Sequence, residues 1–289
     1  MFKKFSKFLI LSLFIFVLSG CNISSDVMSD IDIYTTIYPI NYLVNYLYGQ
    51  HSNIHSIYPT GVDVDTYDLS KRKLKEYSKS DLFVFNSLDI DMDYAVDMIN
   101  YNSNLKVIDV SLGMSYINSI EEIWLDPSNY LMLAQNIKDG LSQYITNPYL
   151  VDEINNNYEN LKYDVSIVDA NIKEVVSNSS YDTIVVDNDL YKYLEKYGIK
   201  VISLEENDNL SSNTINEVKK LISDGEIKYI YSSNDSSNDT VNDLINNFSI
   251  ELIQFNTMRS VDGGITNSND NYLTIMDNNL DLLKKEFYK

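Results

Sequence analysis

Between residues 150 and 175 the apolar side chains Leu150, Ile154, Tyr158, Leu161, Val165, Val168, Ile172 and Val175 recur at intervals of 4, 4, 3, 4, 3, 4 and 3 residues. That spacing is one face of an α-helix. About 26 residues at 1.5 Å each make a rod of roughly 39 Å, longer than most helices of globular domains. A helix of this length, buried along one stripe, needs partners on a comparable scale. Its place near the middle of a 289-residue chain predicts a rigid spine between two lobes.

The flanking sequence supplies those lobes. Before the stripe, short apolar runs at 31–37, 53–58, 81–86 and 106–110 alternate with helical patterns at 40–48, 70–79 and 92–101. Asp126-Pro127 then opens a further helix to about residue 145, because Asp caps a helix and Pro suits its first turn. After the stripe, strands are predicted at 183–187, 200–204, 228–232 and 250–255, with helices at 188–197, 213–224, 240–247 and 272–287. Such alternation specifies βαβ units and parallel sheets. The predicted fold is α/β: two lobes, each with a mostly parallel sheet flanked by helices, joined by one long spine helix. The predicted divisions are a signal peptide (1–20), a lipidated tether (21–30), an N-terminal lobe (31–147), the linking helix (148–178) and a C-terminal lobe (179–289). In open parallel sheets ligands bind beyond the carboxyl ends of the strands, so the cleft between facing lobes is the expected site.

The amino terminus reads as an export signal. Lys3, Lys4 and Lys7 precede an apolar run at 8–18, too short to span a bilayer. Leu18-Ser19-Gly20-Cys21 follows, and Cys21 is the sole cysteine. The pattern predicts cleavage before Cys21 and lipidation of its thiol; the other reading is an ordinary signal peptide ending on a chance cysteine. Acyl chains on Cys21 would anchor the body to the extracytoplasmic face of the cell membrane, with residues 24–30 as a flexible tether. The remaining chain has no cysteine for a disulfide or thiolate metal site. Losing residues 1–20 removes three lysines and no acid, taking the formal charge from −20 to −23. Nucleic acid and anionic lipid are poor partners for such a body, and a cation is a compatible one. There is no G-x-S-x-G, no H-E-x-x-H and no paired base and nucleophile, so the chain is not expected to be an enzyme.

Several segments together resemble one family. They are the Cys21 lipobox, Thr35-Thr36-Ile37-Tyr38-Pro39, Pro59-Thr60-Gly61, Asp81-Leu82-Phe83-Val84-Phe85-Asn86, Trp124-Leu125-Asp126-Pro127, and Tyr193-Leu194-Glu195-Lys196-Tyr197-Gly198-Ile199-Lys200-Val201-Ile202. In this order they are similar to the zinc/manganese solute-binding lipoproteins of bacterial ABC importers, from about residue 31 to the end. The resemblance implies two α/β lobes joined by a long helix, one metal ion held between them, and delivery of that ion by a monomer to an ABC permease. Carried over position by position, it places Asp65 where the first ligand histidine stands, in the loop from Pro59 to Tyr67. It places Glu122 at the second position, two residues before Trp124, and Asp187 at the third, eleven before Gly198. Asn256 is the nearest match to the fourth.

The departure from the family is chemical. The only histidines, His51 and His55, precede the ligand loop and match no ligand position. Two readings follow. Either the positions have drifted and bind no metal, which suits a surface adhesin or scaffold on the same fold, or the site has been re-tuned to carboxylates. Carboxylates facing one another repel, and protonation or a bound cation relieves this. The Asp/Glu/Asp/Asn set offers oxygen alone, which suits Mn²⁺, Mg²⁺ or Ca²⁺. Mn²⁺ is favoured and Zn²⁺ is the family alternative, with no organic cofactor. Asp63 and Asp68 read as turn residues, Asp126, Asn188 and Asp189 as helix caps, Trp124 as packing, and 232–239 as an exposed polar loop.

Overall fold

The structure is a computed structural model, and it describes residues 28–207, 210–233, 238–260 and 270–289. The signal peptide, Cys21 and most of the tether lie outside the described residues. The first sheet is built from β1 (Ile31–Thr35), α1 (Tyr38–Tyr48), β2 (Ser52–Ser56), α2 (Lys71–Tyr77), β3 (Leu82–Phe85), α3 (Asp91–Tyr101) and β4 (Lys106–Asp109). A short helix α4 (Glu122–Leu125) and α5 (Pro127–Tyr144) lead to the spine α6 (Pro148–Ser177). The second half runs β5 (Thr183–Val186), a 3₁₀ segment (Asp189–Tyr197), β6 (Lys200–Ser203), α7 (Ser212–Ser223), β7 (Tyr229–Ser232), α8 (Asp239–Asn247), β8 (Glu251–Gln254) and α9 (Tyr272–Phe287).

All strand pairs are parallel. The sheet orders are β2-β1-β3-β4 and β6-β5-β7-β8. Each lobe therefore repeats one plan, with its switch point between the first and third strands it contributes. That places the binding region of each lobe beyond the carboxyl ends of β1/β3 and of β5/β7.

The predicted stripe is the buried face of α6. Leu150, Ile154, Leu161, Val165, Val168, Ile172 and Val175 are buried, and Tyr158 is half-buried under Lys138. Asn147 caps its start by accepting from the Tyr149 N–H. The strands end sooner than their apolar runs predict. After Thr35 the chain leaves the ladder, and Ile37 becomes the N-cap position of α1, whose first turn carries Pro39. The 188–197 segment is 3₁₀ rather than α, and Gly198 ends it at φ 90°, where a side chain would be strained.

One apolar core runs from the first sheet (Ile33, Leu82, Val84) through α6 (Leu161, Val168) to the second lobe (Ile184, Tyr191, Leu283). A smaller cluster around Val185, Ile202, Val218, Ile230 and Val241 covers the far face of the second sheet. Strand β5 shows the two-residue alternation directly: Ile184 and Val186 face the shared core and Val185 the satellite. Beneath the cleft, the rings of Tyr130 and Tyr272 stack with centroids 3.7 Å apart. The Tyr272 hydroxyl donates to the Trp124 carbonyl at 2.7 Å, and the Trp124 indole N–H donates to the Thr257 carbonyl at 2.8 Å.

One close approach inside the first lobe is testable. At Gly140, in α5, a Cβ would lie 2.7–2.9 Å from three carbons of the buried Ile108 side chain in β4. Alanine gains about 1 kcal/mol in helix propensity, while overpacking costs about 1–3 kcal/mol. Because β-branched Ile108 is stiff in its strand, Gly140→Ala is expected to lower the melting temperature, and paired Ile108→Val to recover part of the loss. An unchanged or raised melting temperature in Gly140→Ala refutes the close contact.

Candidate functional site

The cleft lies where both sheets present their carboxyl ends. It encloses about 500 Å³ and is lined by Asp63, Val64, Asp65 and Glu121 from the first lobe, and by Leu190, Ser233 and residues 254–260 from the second. The acidic loop reaches it through a turn. The Asp65 N–H donates to the Asp63 carboxylate at 3.0 Å and the Tyr67 N–H to the Asp63 carbonyl at 3.0 Å, while buried Val64 anchors the loop. Asp63 is thus the turn residue that the sequence suggested, and Asp65 is the carboxylate it presents.

Asp65 meets an arginine. The Arg259 Nε donates to both Asp65 oxygens, at 2.8 and 3.1 Å, and its Nη2 donates to Asp65 as well. Nη2 also donates to Asp89 at 3.1 Å, and Glu121 stands 3.7 Å from Nε. The guanidinium carbon lies 5.8 Å from the Trp124 ring centroid. Three carboxylates from three segments of the first lobe therefore surround one cation of the second, with the fork geometry that suits a carboxylate. Burial works against the charge on Arg259, but the Asp65 hydrogen bonds and the charges of Asp89, Asp65 and Glu121 prevail and hold its pKa above the ordinary value.

The four sequence-derived positions fare differently. Asp65 and Asn256 both line the cleft. The Asn256 side-chain oxygen accepts from the Met258 N–H at 2.8 Å, and its backbone is clasped by Asn279 through bonds of 3.1 and 2.8 Å. The Glu122 carboxylate is turned inward. It accepts from the backbone N–H groups of Ile117 and Asn118 at 3.1 Å each and from the Asn118 amide at 2.7 Å, locking the loop ahead of α4. Its neighbour Glu121, about 100° around the helical turn, is the one that faces the cleft. Asp187 lies at the end of β5, buried, with one oxygen accepting from the Ser232 hydroxyl at 2.5 Å and the other without a hydrogen-bond partner among the described residues. Burial raises its pKa, and the Ser232 bond opposes this. Among the described residues, no three His, Cys, Asp or Glu side chains are grouped so as to hold a metal ion. Carboxylates fanned around a guanidinium stand wider apart than those around an ion bound at about 2.1 Å.

Other expectations can be placed. Asp126 caps α5, accepting from the Ser128 N–H at 2.7 Å, and also pairs with Lys196 across the lobes. Asn188 caps the 3₁₀ segment, accepting from the Leu190 N–H at 3.0 Å. Asp189 instead pairs with Lys192 at 3.0 Å. His51 pairs with Glu153 at 3.0 Å, and exposed His55 lies 3.8 Å from Asp32, both away from the cleft. The 232–239 loop is not simply exposed: Ser232 is buried against Asp187, and the Asn238 amide donates to the carbonyls of Asp187 and Leu204. Residues 234–237 of that loop lie outside the described residues. Sequence reasoning missed Arg259, Asp89 and Glu121. The available signal for Arg259 was rarity: it is one of two arginines in a chain with 42 acids, just past the last strand of the second sheet.

Two α/β lobes around an interlobe cleft define a solute-binding class of fold, and comparison with known proteins specifies the family. The profile described as "ZnuA: Zinc-uptake complex component A periplasmic" matches residues 33–286, and the chain belongs to that family. It is a family of binding proteins, not of enzymes. The chain is similar to a "Metal ABC transporter substrate-binding lipoprotein" of Lactococcus lactis subsp. lactis, 23% identical over 74% of this chain and 74% of that one. It is 21% identical to the "Zinc-binding lipoprotein AdcA" of Streptococcus pneumoniae over 98% of this chain but only 61% of that longer protein. In fold it is similar to the metal-dependent lipoprotein YcdH of Bacillus subtilis, with a TM-score of 0.74 at 16% identity, over 90% of this chain and 100% of that one.

A buried acid beside the cleft generates a pH prediction. Asp91, the first residue of α3, accepts from the Tyr58 hydroxyl at 2.9 Å. Burial pushes its carboxyl up to about 7; the Tyr58 bond opposes this and the charge of Asp89 adds to it. An unfolded aspartate titrates near 3.9, so the native state holds this proton more tightly. The resulting stability is complete below about pH 4 and is lost as pH rises through about 7. Asp91→Asn keeps an acceptor for Tyr58 and never ionises. Its melting temperature relative to wild type is expected to improve from pH 5 to about pH 7 and then level off; a difference that stays constant from pH 5 to pH 7 refutes the shifted pKa.

Proposed function

We propose that this chain captures a divalent metal ion in the interlobe cleft and delivers it to the permease of a bacterial ABC importer. The observation that carries this reading is the convergence of Asp65, Asp89 and Glu121 on one cationic group between the lobes. Family membership supplies the transport context. Asp65 is the first-lobe ligand in this reading, with Asn256 facing it from the second. Glu122 and Asp187 take part only by leaving their present bonds, and Glu121 is already placed to serve where Glu122 was expected. The donor set is oxygen alone, which favours Mn²⁺, with Zn²⁺ as the alternative that the relatives' names support. The body acts as a monomer, anchored through lipid on Cys21 at the extracytoplasmic face of the cell membrane and without a role for nucleic acid. The lipoprotein names of relatives support that placement. Among the described residues no helix is long and apolar enough to cross a membrane.

A metal-free surface lipoprotein, adhesin or scaffold, is the second reading. Arg259 favours it, because the cleft already contains a cation. Thermal melts of the purified, chelator-stripped protein with Mn²⁺, Zn²⁺, Ca²⁺ or Mg²⁺ added singly separate the two. A ligand at one hundred times its Kd stabilises by about 2.7 kcal/mol, or roughly 5–10 °C for a protein of this size. Mn²⁺ or Zn²⁺ is expected to produce such a shift and Asp65→Ala to abolish it. If none of the four cations moves the melting temperature, the transport reading fails.

A further inference from the structure

Arg259 is more than a structural salt bridge. It stands on the second lobe, yet all three of its carboxylate partners belong to the first. It fills the region between the lobes that a captured cation would use. We infer that Arg259 is a tethered competitor: it neutralises and latches the cleft while no metal is present, and a divalent ion enters only as the guanidinium leaves. This deepens the metal-capture reading and rests on it.

Three features support displacement over permanent pairing. First, the binding is incomplete. Nη1 of Arg259 is buried without a hydrogen-bond partner among the described residues, and Asp65 remains 55% exposed despite its several bonds to the guanidinium. An unmade bond on a buried charged donor costs free energy that solvent would return once the side chain swings out. Second, the backbone that aims Arg259 is strained. Met258, immediately before it, is a buried non-glycine residue at φ 58°, held there by the Asn256 side-chain oxygen bonded to its N–H. A left-handed residue of this kind stores backbone strain, which release of the turn can recover. Third, the carboxylates favour a cation between them. Three acids in one cleft repel, which protonation or a positive group relieves; in the loaded protein the captured ion is that group, and in the unloaded one it is Arg259.

The consequence is selectivity by threshold. The apparent affinity for metal is the intrinsic affinity reduced by the fraction of molecules in which Arg259 is out. An ion that coordinates oxygen weakly cannot displace a bidentate guanidinium. One that coordinates strongly can.

Two measurements test this. In the wild-type protein, phenylglyoxal modification followed by peptide mass analysis reads Arg259 directly, with exposed Arg72 as the internal standard. Arg259 is expected to be protected without metal and to become at least fivefold more reactive with saturating Mn²⁺ or Zn²⁺. Equal reactivity with and without a bound ion overturns the inference. Calorimetric titration of Arg259→Gln with the same ions is the second measurement, with folding checked by circular dichroism. At least tenfold tighter binding than wild type is expected, and Arg259→Lys, which lacks the fork, should fall between. If wild type binds metal and Arg259→Gln binds it equally or less tightly, the competitor role falls while metal capture stands. If neither protein binds any ion, metal capture falls and the competitor role with it.

Discussion

The apolar core that passes unbroken from the first sheet through the spine into the second lobe is the constraint on which the cleft depends. Two lobes tied only by a linker would present their loops at variable distances, and carboxylates of one could not meet an arginine of the other reproducibly. Here the buried face of α6 packs on both sides, and the Tyr130–Tyr272 stack and the Trp124 bonds pin the floor of the cleft. Trp124 couples floor and site in one residue. Its indole holds the Thr257 carbonyl, two residues before Arg259, and its ring lies near the guanidinium. Wide hinge opening would break this buried packing, so the inexpensive motions are local: a side chain swinging and a turn relaxing.

What the sequence revealed follows from which physical signals are periodic or local. The spine was legible because helical burial repeats every 3.6 residues, and all but one of its stripe residues are buried. The βα alternation was legible for the same reason, as were the Asp126 and Asn188 caps and the Asp63 turn, whose partners lie two or three residues away. Strand order was not, since a parallel ladder is made across long crossovers and leaves no mark in local spacing. The cleft was legible only in part. Resemblance pointed to Asp65 and Asn256, which line it, but it named Glu122, whose neighbour Glu121 is the acid that lines it. Adjacent residues at the start of a short helix point in different directions, and only the N–H groups of residues 117 and 118 determine which acid turns inward. Arg259 was invisible to any pattern, because its partners lie 138 to 194 residues away in the chain.

The chemistry of the cleft can be followed through its charge. Asp65, Asp89 and Glu121 carry −3 between them, and Arg259 reduces this to −2. In the proposed exchange a dication in its place would leave −1, lowering the residual charge as well as replacing one cation by another. The two cations ask for different shapes. A guanidinium takes oxygens spread around its edge at hydrogen-bonding distance, whereas a metal ion draws them inward to about 2.1 Å. The acidic loop can make that contraction because Asp65 is exposed and stands on a turn rather than a strand. Glu122 and Asp187 are held by three N–H donors and by a buried serine, and they move only at the cost of those bonds. An all-oxygen donor set lacks the nitrogen or sulfur that zinc usually takes. Its carboxylates also carry the excess negative charge that Arg259 balances. In the proposed exchange, a guanidinium and a divalent ion are alternative answers to the same cluster of acids.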